Sequence, residues 1–215
     1  MKYVFVFGGL LVLMAITVVL VQGRLNRRKR KIIEAGRGIG LMHPLASQPL
    51  QLPFVPLIHK PGNEFLVTLA GQVGGRSTGF FDMTVSAGKD WFVQSAVVVV
   101  DPGADMRCFQ LARPHLTNIS QRRANEDVEL PGREQSLDHL KFTADDPAWA
   151  AGTFGTAPDA YFERVREGRW TVEGLAHSVV VYRWGSKIAP AHLSEFVEDA
   201  VGLAGETLAL CGARG

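Results

Sequence analysis

The sequence predicts an α+β domain, in which helices pack on an antiparallel β-meander sheet, preceded by one N-terminal transmembrane helix. Three observations lead to this fold class. Residues 3–22 are 20 consecutive uncharged residues. Strand-like segments separated by short turn signals follow between residues 64 and 113, and the end of the chain has apolar residues at helical spacing.

The first element is the apolar segment at residues 3–22. A helix of this length spans the roughly 30 Å hydrocarbon core of a bilayer. The segment is longer than the apolar region of a secretory signal peptide, and no small-x-small cleavage motif closes it, so an uncleaved anchor is favoured over a signal peptide.

Charges on the two sides of this segment predict its orientation. One lysine precedes it, and six basic residues follow closely: Arg24, Arg27, Arg28, Lys29, Arg30 and Lys31. Because lysine and arginine concentrate on the cytoplasmic flank, the N-terminus is predicted outside a bacterial inner membrane, with the remaining domain in the cytoplasm.

The six basic residues have two interpretations. They are topology determinants only, or they also contact anionic lipid headgroups, at about 1 kcal/mol for each residue near the surface. Residues 32–215 carry 16 basic and 21 acidic side chains. This acidic balance argues against a nucleic-acid partner, which requires a basic face.

The chain divides into four parts: an anchor at 1–23, a basic juxtamembrane helix and glycine hinge at 24–43, a proline-rich extended neck at 44–62, and an α+β domain at 63–215. The helix is expected to continue to about residue 35, where Gly36, Gly38 and Gly40 end it.

The neck combines prolines with large apolar residues, so it is expected to lie on a surface, either of its own domain or of a partner protein. The candidate partner contacts are its central residues: Pro53, Phe54, Val55, Pro56 and Leu57.

Strands are predicted at 64–73, 79–86, 91–100 and 106–113, joined as a meander. The run at 96–100 is apolar without alternation, which is typical of a central strand buried on both faces.

After residue 113 the pattern changes. Residues 114–137 are polar and predict only a short helix or an ordered loop. A strand at 138–143, a helix at 158–167, and a hairpin of strands at 169–176 and 178–184 follow. A final helix after Pro190 shows apolar residues at three- and four-residue spacing: Leu193, Phe196, Val197, Ala200, Val201, Ala204 and Leu208.

Residues 75–79 satisfy G-x-S-x-G, the motif that carries the nucleophilic serine of many hydrolases. That motif requires a helix after the serine, whereas a strand is predicted here, so Ser77 is placed in a hairpin loop. Residues 36–40 lack the spacing of a phosphate-binding loop.

The histidines show no metal-ligand spacing, and Cys108 and Cys211 are expected as reduced, buried thiols. Asp145 and Asp146 form the one carboxylate pair with an acid–base interpretation. Their position before Pro147, between a strand and a helix, favours a turn or helix cap. No catalytic residue, cofactor or metal site is therefore predicted.

The C-terminal half resembles a family of uncharacterised bacterial membrane-anchored proteins. The resemblance lies in Phe142 with residues 144–147, in residues 170–174 and 181–183, and in the helix after Pro190 with Phe196 and Ala200; an aromatic-Asp pair, Phe81-Asp82, begins the meander. It implies an apolar N-terminal segment and a cytoplasmic α+β domain, and it implies no activity.

These observations predict a non-enzymatic, single-pass membrane protein: an accessory, assembly or scaffold subunit of a larger membrane complex, for which an electron-transfer or photosynthetic assembly is one candidate. Its expected partners are the lipid bilayer and a membrane protein. The alternative is a membrane-tethered enzyme or small-ligand binder that uses a cleft of the domain, with Asp145 and Asp146 as the polar pair.

Overall fold

The computed structural model describes residues 2–42, 64–87, 90–114 and 126–212, with the backbone alone for residues 2–13, 15, 18, 64, 86, 87, 90 and 91. The predicted partner contacts Pro53, Phe54, Val55, Pro56 and Leu57, and with them almost the whole neck, lie outside the described residues.

Four α-helices lie within the described residues: α1 (Lys2–Gly38), α2 (Pro147–Phe154), α3 (Asp159–Glu167) and α4 (Leu193–Gly212). A single 3-10 turn at Pro190–His192 leads into α4. The apolar stripe predicted for the last helix is confirmed, because all seven of its residues are buried.

Nine strands form one antiparallel sheet in the described part of the chain, in the order β1-β2-β3-β4-β9-β8-β5-β7-β6. Their bounds are β1 Leu41–Met42, β2 Glu64–Val73, β3 Arg76–Ala87, β4 Asp90–Val100, β5 Met106–Ala112, β6 Glu126–Asp127, β7 Lys141–Ala144, β8 Thr171–Ala176 and β9 Ser178–Tyr182. The α+β class and the antiparallel sheet are therefore confirmed.

The predicted four-strand meander is correct for β2, β3 and β4 and wrong for β5. The free edge of β4 pairs with β9, and β5 lies between β8 and β7. The reason is the apolar character of both strands: β4 is buried on both faces over residues 96–99, and Val97 pairs with Val181 of the equally buried β9. Two such strands bury most apolar surface when they are neighbours in the centre of the sheet.

The two faces of the sheet carry separate apolar clusters. The larger cluster includes Val97 and Val181 and side chains from all four helices, such as Ile32, Phe154, Phe162 and Val197. The smaller cluster lies on the opposite face and consists of strand residues with three partly buried neighbours: Phe81, Met83, Val85, Ala96, Val98, Val180 and Tyr182, with Phe92, Val100 and Trp184. The described helices therefore pack on one face.

The last part of α1 belongs to the domain core. Ile32 is fully buried, and Gly36 lies inside the helix against Leu69, where a Cβ atom would come within 2.4 Å of the Leu69 Cδ1 atom. The helix ends at Gly38, the chain turns at Gly40 with a φ of +84°, and β1 follows at once. The structure thus places Gly36 in helix packing, and the core begins within α1, earlier than the predicted domain boundary at residue 63.

Within the part of the chain that the structure describes, no helix has both the length and the apolar character needed to cross a membrane. Most of the predicted span, residues 3–13, 15 and 18, lies outside the residues whose side chains the structure describes. The membrane anchor stays a prediction.

Candidate functional site

The most distinctive polar arrangement lies where α1 crosses the sheet. We call it the stem junction, and it consists of Arg28, Asp82, Ser95 and Ile188. The Arg28 guanidinium binds the Asp82 carboxylate, with Nε 2.9 Å and Nη2 2.7 Å from Oδ2. The Ser95 hydroxyl donates to Asp82 Oδ1 at 2.5 Å and accepts from the Ile188 backbone N–H at 3.0 Å.

The register of the sheet builds this junction. Asp82 of β3 and Ser95 of β4 are directly opposite each other, so both side chains point to the same face, the one on which α1 lies. Arg28 comes from the part of α1 just before Ile32, the first residue of the helix in the core. One ion pair therefore joins two segments that are 54 residues apart in sequence.

Burial dominates the electrostatics of the junction. The Asp82 side chain has no exposed surface, and the Arg28 side chain is 12% exposed. Desolvation raises the pKa of Asp82, and the Ser95 hydrogen bond, the charge and hydrogen bond of Arg28 and the charge of Lys187 together offset only part of that rise. The Asp82 carboxylate, which is costly to bury, is thus held next to α1. Removal of its partner Arg28 is expected to destabilise the fold strongly.

The structure separates the six predicted headgroup residues into two groups. Arg28 is engaged in the stem junction. The other five, Arg24, Arg27, Lys29, Arg30 and Lys31, are exposed on α1. The predicted headgroup contact of the five exposed residues stays a prediction, and Arg28 joins α1 to the sheet.

A pocket of about 400 Å³ lies beside the stem junction, between α1 and the first residues of β2. Its lining combines apolar and polar side chains: Gln22, Leu25, Asn26, Arg28, Lys29, Phe65, Leu66, Val67 and Asp82. The pocket is therefore amphiphilic, and it begins at the last residue of the predicted membrane span.

A wider groove of about 850 Å³ lies at the other end of the domain, between the end of α1, the β2–β3 turn and α4. The Arg76 guanidinium lies over Gly205 of α4, with its Nε atom 3.0 Å from the position of a Cβ atom there. Glu198 and Glu206 also line this groove, so its charges are of both signs.

A second buried polar cluster lies on the sheet face away from the helices. Gln110 Nε2 and the Tyr182 hydroxyl donate to Glu173 Oε1 at 2.7 Å and 2.6 Å. Burial raises the pKa of Glu173, and the two hydrogen bonds lower it by less. Oε2 has no hydrogen-bond partner among the described residues. This carboxyl group is therefore stabilised in its neutral form.

Glu173→Gln should raise the free energy of unfolding near neutral pH. The folded-state pKa of Glu173 lies above its ordinary value of 4.5, so the folded protein retains a proton that the unfolded chain loses. The wild type therefore loses stability as the pH rises from that ordinary value through the raised pKa, and the amide variant should lose less. Urea unfolding at about pH 5 and about pH 8 measures this. The exposed Glu195→Gln control should behave as the wild type, and a Glu173→Gln variant less stable than the wild type at the higher pH would contradict the assignment.

The other candidate residues from the sequence, Asp145, Asp146 and Ser77, do not form a site together. Asp146 caps α2, with its Oδ1 atom accepting from the Trp149 N–H at 2.9 Å, which confirms the cap interpretation. Asp145 is exposed. The predicted loop position of Ser77 is wrong: Ser77 lies within β3, because the turn before it needs only Gly74 and Gly75. Further strand follows it, as predicted. The hydrolase motif therefore has no strand-to-helix turn here.

The cysteines are free: Cys108 is buried and Cys211 is half-buried. Burial raises the pKa of the Cys211 thiol to about 12. Among the described residues, no three His, Cys, Asp or Glu side chains are grouped to hold a metal ion.

Sequence reasoning did not find the stem junction as a site. Asp82 was noted only as part of an aromatic-Asp pair, and Arg28 only as one basic residue among six. A carboxylate in the middle of an otherwise apolar strand, Phe80 to Val85, was the available signal, because a buried carboxylate requires a partner.

Fold and site together define an α+β protein with one antiparallel sheet and an N-terminal helix built into its core. The crystal structure of the mycobacterial trehalose monomycolate transport factor A, TtfA, has a similar fold, with a TM-score of 0.60 at 7% sequence identity. The similarity covers 86% of this chain and 93% of the TtfA chain. No family model matches the sequence, and a comparison with curated proteins gives no significant match.

Proposed function

We propose that this protein is a single-pass membrane protein whose domain serves, on the cytoplasmic side, as an accessory, assembly or scaffold subunit of a larger membrane complex. Its partners are then the bilayer and an integral membrane protein. The role is positional: the domain presents its surface to the partner at a fixed height and orientation above the membrane.

The observation that carries this proposal is the continuity of α1. One helix of 37 residues contains the predicted membrane span and ends inside the domain core. The stem junction fixes that helix to β3 and β4 through the Arg28–Asp82 ion pair. A catalytic domain on a tether has no need of such a connection, whereas a subunit that must face a partner gains a defined orientation.

The structural neighbour is compatible with this role. TtfA is described as a transport factor for trehalose monomycolate, which is a role in moving a compound. At 7% identity the similarity supports a shared fold, so we take from it only the suggestion that a domain of this fold can serve in transport.

The groove between α1, the β2–β3 turn and α4 offers a place for a partner. The groove at Arg76 and α4 lies about 16 residues of helix beyond Gln22, or about 24 Å from the predicted membrane surface. Its lining carries Arg76, Glu198 and Glu206 among small residues, so it suits a polar protein segment.

Purification of the full chain from native membranes in mild detergent tests the proposal. The wild type should be recovered in a complex of fixed stoichiometry with an integral membrane protein. Asp82→Ala, which removes the ion pair between α1 and the sheet, should remain in the membrane and lose the partner, while the exposed Glu195→Gln control should retain it. Recovery of the wild type as a monomer without partners would contradict the proposed role.

A further inference from the structure

The pocket beside the stem junction lies at the depth of lipid headgroups if α1 spans the bilayer as proposed. Its α1 residues run from Gln22, the end of the predicted span, to Lys29. Seven residues of helix cover about 10 Å, comparable with the headgroup region on one side of a bilayer. The pocket therefore opens where the phosphates of the adjacent leaflet lie.

The lining of this pocket has an apolar part and a charged part. Leu25, Leu66 and Phe65 give it an apolar part, and the Phe65 side chain is 46% exposed although it is large and apolar. Its ring packs edge-on against Phe81 of the smaller cluster, with 5.6 Å between the ring centroids, so it lies on β2 towards the sheet face away from α1. An exposed aromatic residue at this depth is typical of a membrane interface.

The charge of the pocket is positive. Asp82 is the one acidic residue in its lining, and Arg28 neutralises it. Lys29 adds a second positive charge to the lining, and the charge of exposed Lys187 also acts on Asp82. Among the described residues Lys29 forms no direct ion pair with a carboxylate, so its charge is available to an anion in the pocket.

We propose that this pocket binds the headgroup of one anionic phospholipid from the adjacent leaflet. The phosphate lies next to Lys29, and the glycerol and first methylene groups lie against Leu25, Leu66 and Val67. The inference rests on the proposed membrane anchor and adds a specific lipid site to it. A bound lipid would hold the edge of the sheet at the membrane and support the orientation set by the stem junction.

Native mass spectrometry of the full chain in detergent, with added phosphatidylglycerol or phosphatidylcholine, tests the site. The wild type should retain one phosphatidylglycerol per chain in preference to phosphatidylcholine. Lys29→Gln should weaken that retention about fivefold, the loss expected for one lysine at an anionic surface. Lys31→Gln is the matched control, because Lys31 is exposed and lies about 200° around the helix from Lys29, outside the pocket.

A second pair of variants tests the apolar part. Leu25→Ser should also weaken retention of phosphatidylglycerol, whereas Met42→Ser, at an apolar side chain that is 67% exposed and outside the pocket, should not. Excess inorganic phosphate should fail to displace the lipid. Displacement by phosphate, equal effects of Lys29→Gln and Lys31→Gln, or no preference for phosphatidylglycerol would each overturn the proposal.

Extraction of membranes with alkaline carbonate distinguishes failure of the lipid-pocket proposal from failure of the proposed membrane anchor. A chain that stays in the membrane pellet without selective lipid retention contradicts the pocket proposal alone. A chain that is released by carbonate contradicts the proposed anchor, and the lipid site with it.

Discussion

Asp82→Ala should lower the free energy of unfolding by about 3–5 kcal/mol, the cost of removing one partner from a buried ion pair. The variant leaves the Arg28 guanidinium, whose side chain is 12% exposed, without its carboxylate, and it leaves the Ser95 hydroxyl without its acceptor. Chemical denaturation of the purified chain measures this change, because a lower midpoint at an unchanged slope reports stability alone.

A double-mutant cycle controls for the size of the side chains. The cycle uses leucine at both positions: Asp82→Leu alone leaves a buried guanidinium and Arg28→Leu alone leaves a buried carboxylate, so each single variant should be strongly destabilising. The double variant, with leucine at both positions, removes both charges and should recover most of the lost stability, since apolar residues often replace a buried pair at little cost. Strictly additive losses in the double variant would show that the two side chains do not interact.

Phe154→Ala should cost about 3–5 kcal/mol, the usual range for truncating a buried phenylalanine. Phe154 has no exposed surface, and its ring contacts those of Phe109 and Phe142 with centroids 5.0 Å and 4.9 Å away. Its position at the end of α2 connects that helix to β5 and β7, so the cavity would open at the centre of the larger cluster. Thermal or urea unfolding gives the loss directly.

Phe65→Ala is the matched control for this substitution. The chemical change is the same, but the Phe65 side chain is already 46% exposed. Its removal should therefore cost much less than that of Phe154, because the area withdrawn from water is smaller. Equal losses for the two variants would contradict the assignment of Phe154 to the core.

Elements with a strong local pattern could be predicted from the sequence. The stripe of α4 has a clear 3.6-residue period, and β2 has turn residues on both sides, so its predicted bounds, 64–73, agree with the structure. In contrast, α2 was not predicted, because its eight residues, PAWAAGTF, contain no polar side of their own. A short apolar helix is recognisable only when its position against the core is known.

Long-range pairing could not be predicted in the same way. The neighbour of β4 is β9, which begins 78 residues after β4 ends, and no local signal distinguishes it from β5. The stem junction could not be predicted for the same reason, because it is a long-range contact. Arg28 is one of six basic residues in sequence, and only the fold brings it to Asp82. Asp146 was the opposite case, since the cap signal lies within four residues of chain.

We expect α1 to connect the predicted membrane span to the domain as one rigid body. The most direct measurement is the distance distribution between two nitroxide labels on the full chain in a lipid bilayer, at Met14→Cys and Glu195→Cys, with Cys211 replaced by serine. Both labelled positions are exposed, at 60% for Met14 and 76% for the Glu195 side chain. A rigid α1 should give one narrow distribution of label-to-label distances, which a flexible Gly-Ser insertion after Gly23 should broaden. A distribution that is already broad without the insertion would contradict it.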